Sequence, residues 1–112
     1  MTMGRQKRLK RIAGIATKKL KMKVFVIGIG LIGGSMVLDI KKMYPQATIY
    51  GIDTNEIHLQ EAIALGVIDA AGSMIDLHAA DFVIVSVPVD GALVVLPQVL
   101  DLIGDETIVF EV

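Results

Sequence analysis

Apolar residues fall along this chain in two alternating rhythms. Short continuous runs, Val24-Phe25-Val26-Ile27, Thr48–Asp53, Phe82–Val87 and Thr107–Val112, are rich in β-branched and aromatic residues. Between them, apolar positions return every three or four residues: Ile32, Met36, Val37, Ile40 and Met43, then Ile57, Leu59, Ala62 and Ile63. The first rhythm predicts strands covered on both faces and the second predicts helices. The first helix is expected to end where Lys41 and Lys42 meet the negative end of the helix dipole and Pro45 blocks continuation, and the second runs from Asn55 to Leu65 and stops at Gly66. A short third strand is expected near Ile68–Ala71, and Ser73–Ala80 reads as a turn or a single helical turn. Asp90 is positioned to cap a last helix, which Pro97 should break or kink near Leu96, and Gly104-Asp105 turns the chain into the final strand. Strands alternating with helices imply right-handed crossovers. The expected fold is therefore α/β, a Rossmann-type doubly wound parallel sheet in a single domain over residues 23–112, with strand order 3-2-1-4-5.

The chemistry concentrates where the first strand meets the first helix, at Gly28-Ile29-Gly30-Leu31-Ile32-Gly33. A G-x-G-x-x-G string between strand and helix lets backbone N–H groups and a helix N-terminus grip a pyrophosphate without a lysine. Gly28 allows the tight turn, Gly30 presents no Cβ to the phosphates, and Gly33 lets the helix pack close to the sheet. The second strand ends in Asp53, 25 positions after Gly28, near the spacing of about 20 at which an acid meets the adenosine ribose hydroxyls. Asp53 can alternatively cap the helix that starts near Asn55. No Lys or Arg occurs from Thr54 to Val112 to neutralise a 2′-phosphate, so NAD is favoured over NADP. Ser86 and Pro88, where the fourth strand leaves the sheet, are placed to touch the cofactor, or else to satisfy a backbone group and end the strand.

Composition narrows the class. At 112 residues, 54% of them apolar, with a mean hydropathy of +0.66, the chain is long enough for one core and short for a complete two-substrate enzyme. No apolar run approaches the eighteen or so residues that span a bilayer, so no membrane partner is expected. The absence of cysteine excludes disulfides and thiolate metal sites, and the cytoplasm is the expected compartment. The net charge of −1 hides a division: residues 1–23 carry nine basic residues and no acid, whereas residues 24–112 carry two lysines and all twelve acids. The basic segment 1–22 reads as an extension, either disordered or one amphipathic helix through Leu9, Ile12, Ala13, Ala16 and Leu20, possible alternatives being a transit peptide or residues upstream of a start at Met22. No nucleic-acid partner is expected for it.

Gly28-Ile29-Gly30-Leu31-Ile32-Gly33-Gly34-Ser35, together with Tyr50-Gly51-Ile52-Asp53 and Val85-Ser86-Val87-Pro88-Val89-Asp90, resembles the nucleotide-binding half of the prephenate/arogenate dehydrogenase family over residues 23–112. The resemblance implies an NAD-dependent oxidoreductase of tyrosine biosynthesis. Its cofactor would lie on Gly28, Gly30, Leu31, Ile32, Gly33, Gly34, Ser35, Asp53, Ser86 and Pro88. It also implies a later G-S-x-K loop, a catalytic His and a helical second domain that completes the prephenate or arogenate site and forms the homodimer. These motifs do not occur within residues 1–112, so no catalytic residue and no metal ligand is assigned. His58 is expected near the adenosine end and His78 at the opposite edge of the sheet, both as surface residues. Asp39, Glu56, Glu61, Asp69, Asp76, Asp101, Asp105 and Glu106 read as solvated acids. Two other readings remain open at this stage: a stand-alone NAD-binding regulatory module, and the first domain of another dehydrogenase family such as the β-hydroxyacid dehydrogenases.

Overall fold

A computed structural model of the chain describes residues 21–111, so the basic extension expected at 1–22 lies almost wholly outside the described residues. The elements are β1 (Lys23–Ile27), α1 (Leu31–Met43), β2 (Thr48–Ile52), α2 (Glu56–Ala64), β3 (Ala70–Ala71), a 3₁₀ helix (Met74–Ala79), β4 (Phe82–Val85), α3 (Val89–Leu102) and β5 (Ile108–Glu111). The five strands form one sheet in the order β3-β2-β1-β4-β5, and every pairing is parallel. This is the doubly wound arrangement that the alternating rhythms imply.

Alternation along the strands divides the core in two. Val24, Val26, Ile49 and Ile84 pack with Val37 and Ile40 of α1 and with Leu59 and Ala62 of α2. Phe25, Ile27, Val83 and Val85 face the other way, against Leu77 of the 3₁₀ helix and Val99 of α3. Both faces of β1 and β4 are thus covered, which is why their sequences are unbroken apolar runs. Across the sheet Phe25 pairs in register with Tyr50 and stacks on it with ring centroids 4.8 Å apart.

The ends of α2 follow from its sequence. Asn55 caps the start, its side chain accepting from the amides of Ile57 and His58. At the other end Gly66 has φ +73°; its N–H donates to the Ile63 carbonyl, and that of Val67 to the Ala62 carbonyl, the paired bonds of a Schellman turn.

Several expectations are corrected. Asp90 does not cap α3: Pro88 holds the N-cap position and Asp90 lies in the first turn, where its charge still favours the positive helix end. Pro97 does not break α3, which runs on to Leu102. Pro97 and Leu93, one turn earlier, both lie on the exposed side, so the carbonyl that loses its partner can be hydrated, while Ala92 and Val99 keep the opposite face buried. The third strand is only two residues long: Ala70 and Ala71 pair with β2, whereas the Ile68 amide donates back to the Ala62 carbonyl at the end of α2 at 3.3 Å. β4 ends at Val85, short of Val87. The Ser86 amide still reaches the Ile27 carbonyl at 2.8 Å, but Pro88 has no N–H to extend the ladder.

Asp69 is not merely a solvated acid. Its Oδ1 lies 2.9 Å from Lys41 Nζ of α1 and its Oδ2 accepts from the Ile49 amide of β2 at 2.7 Å. Partial burial pushes the carboxyl upward, but the Ile49 amide and the Lys41 ammonium together outweigh it and hold the group below its ordinary 3.8.

Candidate nucleotide-binding site

Register places the site. Ile27 of β1 pairs with Ile52 of β2 and with Val85 of β4, so the next residues, Gly28, Asp53 and Ser86, form a row along the carboxyl edge of the sheet. β1 and β4 are neighbours although five elements separate them in sequence, and in open parallel sheets the crevice at such a reversal is where ligands bind.

Gly28 adopts φ +86°, a conformation that disfavours any side chain. A Cβ there would also lie 2.7 Å from Val87 Cγ1 and press on the Ser86 carbonyl. Its N–H donates to the Ile52 carbonyl at 2.8 Å, and the next amide, Ile29, donates to Asp53 Oδ2 at 2.9 Å. The turn is therefore fixed to the end of β2 by two bonds. Gly30 differs from Gly28. A Cβ on it would meet nothing closer than Ser86 Oγ at 3.8 Å, so the protein itself does not demand glycine here.

Gly30 is the N-cap of α1 and offers no capping side chain, and the first turn, Leu31–Gly34, contains no acid. α2, by contrast, has its first amides taken by Asn55 and carries Glu56 in its first turn. Neither an N-cap side chain nor a first-turn acid answers the positive end of α1, the arrangement in which a helix N-terminus can take an anionic ligand. Leu31, Ile32, Gly33 and Gly34 form that first turn, but the expected roles of their side chains, and the close packing expected at Gly33, lie outside what is described.

Asp53 is not the helix cap; that position is Asn55, whose own amide donates to Asp53 Oδ1 at 2.8 Å. Both carboxylate oxygens thus orient on backbone amides at the mouth of a cleft of about 490 Å³. Gly28, Gly30, Asp53, Ser86 and Pro88 all line it, so the structure brings together these five residues singled out in the sequence. Ser35 is elsewhere: it lines an adjoining groove between α1 and α2.

Other cleft residues were assigned no role from the sequence. Met74, Val87 and Val95 supply apolar wall, and Thr54 and Gln98 supply polar groups. Met74 comes from the 3₁₀ helix that connects β3 to β4, and Gln98 from α3, the crossover from β4 to β5, both on the far face of the sheet. His58 lines both the cleft and the adjoining groove, on the Asp53 side as expected. His78 lies in the 3₁₀ helix before β4 with Nδ1 2.7 Å from the Ile75 carbonyl, away from the cleft.

No helix among the described residues is long and apolar enough to cross a membrane. The family described as "Prephenate dehydrogenase, nucleotide-binding domain" matches residues 36–112. The chain is 42% identical over 82 residues to a prephenate dehydrogenase of Bacillus subtilis, covering 71% of this chain and 22% of that protein. Among solved structures it is similar to Synechocystis arogenate dehydrogenase, with a TM-score of 0.72 and 25% identity over 81% of this chain and 32% of that one. It is also similar to the A. aeolicus prephenate dehydrogenase in complex with hydroxyphenyl propionate and NAD+, with a TM-score of 0.71 and 26% identity over 80% of this chain and 32% of the other. The chain thus spans about a fifth of the length of the curated relative. Its strand order, its glycine turn at the reversal and this match over residues 36–112 agree: the chain belongs to the family of prephenate dehydrogenase nucleotide-binding domains.

Proposed function

We propose that this chain is the NAD-binding part of a cytoplasmic prephenate or arogenate dehydrogenase of tyrosine biosynthesis. One observation carries the proposal: Gly30, the N-cap residue of α1, supplies no side-chain cap and lines the same cleft as Asp53 and Ser86. The pyrophosphate would lie on the amides around Gly30, and the adenosine ribose would donate to the free lone pairs of Asp53. The apolar wall of Met74, Val87 and Val95 suits the flat base. Ser86 and Pro88 would border the nicotinamide half. When bound, the nicotinamide would take up the hydride released as the substrate's ring carbinol carbon is oxidised and carbon dioxide leaves. The residues of this chain bind and orient the cofactor; the acid–base group, the substrate contacts and the homodimer are assigned to the further domain that its relatives' length accommodates. The A. aeolicus complex with NAD+ supports the choice of cofactor.

Gly30→Val tests the site with less disturbance to the fold than a change at Gly28, because a Cβ at Gly30 would meet nothing closer than Ser86 Oγ at 3.8 Å. Titration calorimetry should show NAD binding to the wild-type chain and at least about tenfold weaker binding to the variant, while the variant stays folded with a modestly lower melting temperature, since Val is a poorer N-cap than Gly. Equal affinity would remove the pyrophosphate from the turn. Gly28→Val would be uninformative, since its φ and the Ser86 carbonyl make it a folding variant as well.

A further inference from the structure

The cleft holds one anionic side chain, Asp53, and one that can become cationic, His58. Every other lining residue is apolar or neutral. No Lys or Arg follows Thr54. Of the lysines in α1, Lys41 is engaged with Asp69 and both lie in the last turn, at the end of the helix remote from Gly30. Among the described residues, His58 is therefore the one side chain lining the cleft that can carry positive charge beside the residue that meets the ribose.

We propose that His58 sets how strictly this site rejects a 2′-phosphate, so that discrimination against NADP relaxes as the imidazole gains a proton. This rests on the nucleotide reading above and concerns the same site. The backbone of His58 is anchored by its amide's bond to Asn55 Oδ1 at 3.2 Å, while the side chain is exposed and reaches both the cleft and the groove beside it. Two titratable groups share its surroundings: Asp53 from the end of β2, and Glu61 three residues on along α2. The glycine turn contributes Ile29 and Gly30, α1 contributes Ser35 and Leu38, and the β4–α3 connection contributes Ser86 and Pro88, none of which titrates.

A 2′-hydroxyl can donate to Asp53, whereas a 2′-phosphate brings up to two further negative charges toward it. Neutral imidazole does nothing to offset that repulsion. Imidazolium adds a positive charge and a second N–H donor, and histidine is the side chain that makes this change between pH 5 and 8.

The test is calorimetric binding of NAD and NADP to the whole chain at pH 8 and pH 6, read as the ratio of the two dissociation constants. A general weakening of the site cancels in that ratio. The 2′-phosphate also takes up a proton in this range, so the comparison is with H58Q and H58K rather than with the wild type alone. The NADP-to-NAD ratio should fall on acidification about fivefold further in the wild type than in H58Q. H58K should lower the ratio at both pH values. Superimposable wild-type and H58Q curves, with no gain for NADP in H58K, would overturn the role of His58 while leaving NAD binding intact. Failure of the wild type to bind NAD at either pH would instead overturn the nucleotide reading, and this inference with it.

Discussion

At the end of β2 the Asp53 carboxylate accepts from the Ile29 amide through one oxygen and from the Asn55 amide through the other. One side chain thus ties the glycine turn to the start of the second crossover and faces the ligand cleft as well. Removing it should cost twice. Asp53→Ala is expected to lower unfolding free energy by about 1–2 kcal/mol in urea titrations and to weaken NAD. Asp53→Asn keeps one carbonyl oxygen as acceptor but loses the charge, so it should retain more stability while relaxing the preference for NAD over NADP. If Asp53→Ala leaves both stability and the cofactor ratio unchanged, Asp53 has neither role. At this scale the sequence was informative where a residue's task is local: a glycine at a strand end and an acid at a fixed spacing carry their steric and electrostatic meaning with them. It was silent on Met74 and Gln98, whose types are ordinary and whose place in the cleft depends on where the rest of the chain goes.

Among the elements, α2 was read with nearly its observed bounds, its stop marked by a Gly able to take a left-handed conformation, although the cap at its start is Asn55 and not the Asp53 that the sequence offered for it. Gly66→Ala tests that account. An added Cβ would meet no atom within 4 Å, so the cost comes from its φ of +73° alone; it should be about 1 kcal/mol in urea unfolding, with NAD binding unaffected. No loss would mean that the Schellman turn relaxes freely. α3 was less legible for the opposite reason. Pro97 is a strong local signal for interruption, yet burial of Ala92 and Val99 holds the helix to the sheet on either side of it, and the exposed position of Leu93 and Pro97 lets solvent serve the orphaned carbonyl. Tertiary packing overrode a local preference.

Over the whole molecule, Asp69 joins α1 to β2 at the start of β3 through Lys41 and the Ile49 amide. Its carboxyl is held below the ordinary 3.8 by those partners against the opposing effect of burial, so its folded pKa is lower than its unfolded one. The stability it contributes is therefore complete above about pH 4 and disappears as pH falls through the folded value. Asp69→Asn should be less stable than the wild type at pH 7, and the two should converge on acidification, as urea unfolding at pH 7 and pH 3 would show; a constant difference would mean that ionisation of Asp69 is not linked to folding. The amino-acid sequence by itself determined the alternation of strand and helix, and with it the sheet order, because burial on two faces imposes unbroken apolar runs and right-handed crossovers leave few arrangements. It also marked Gly28, Gly30 and Asp53, whose chemistry is local. Only the tertiary structure decided which face of the sheet supplies the rest of the cleft, that Lys41 meets Asp69 and that His58 is, among the described residues, the cation-forming side chain lining the cleft. Those facts are distances between segments remote in sequence, and such distances exist only once the crossovers have closed.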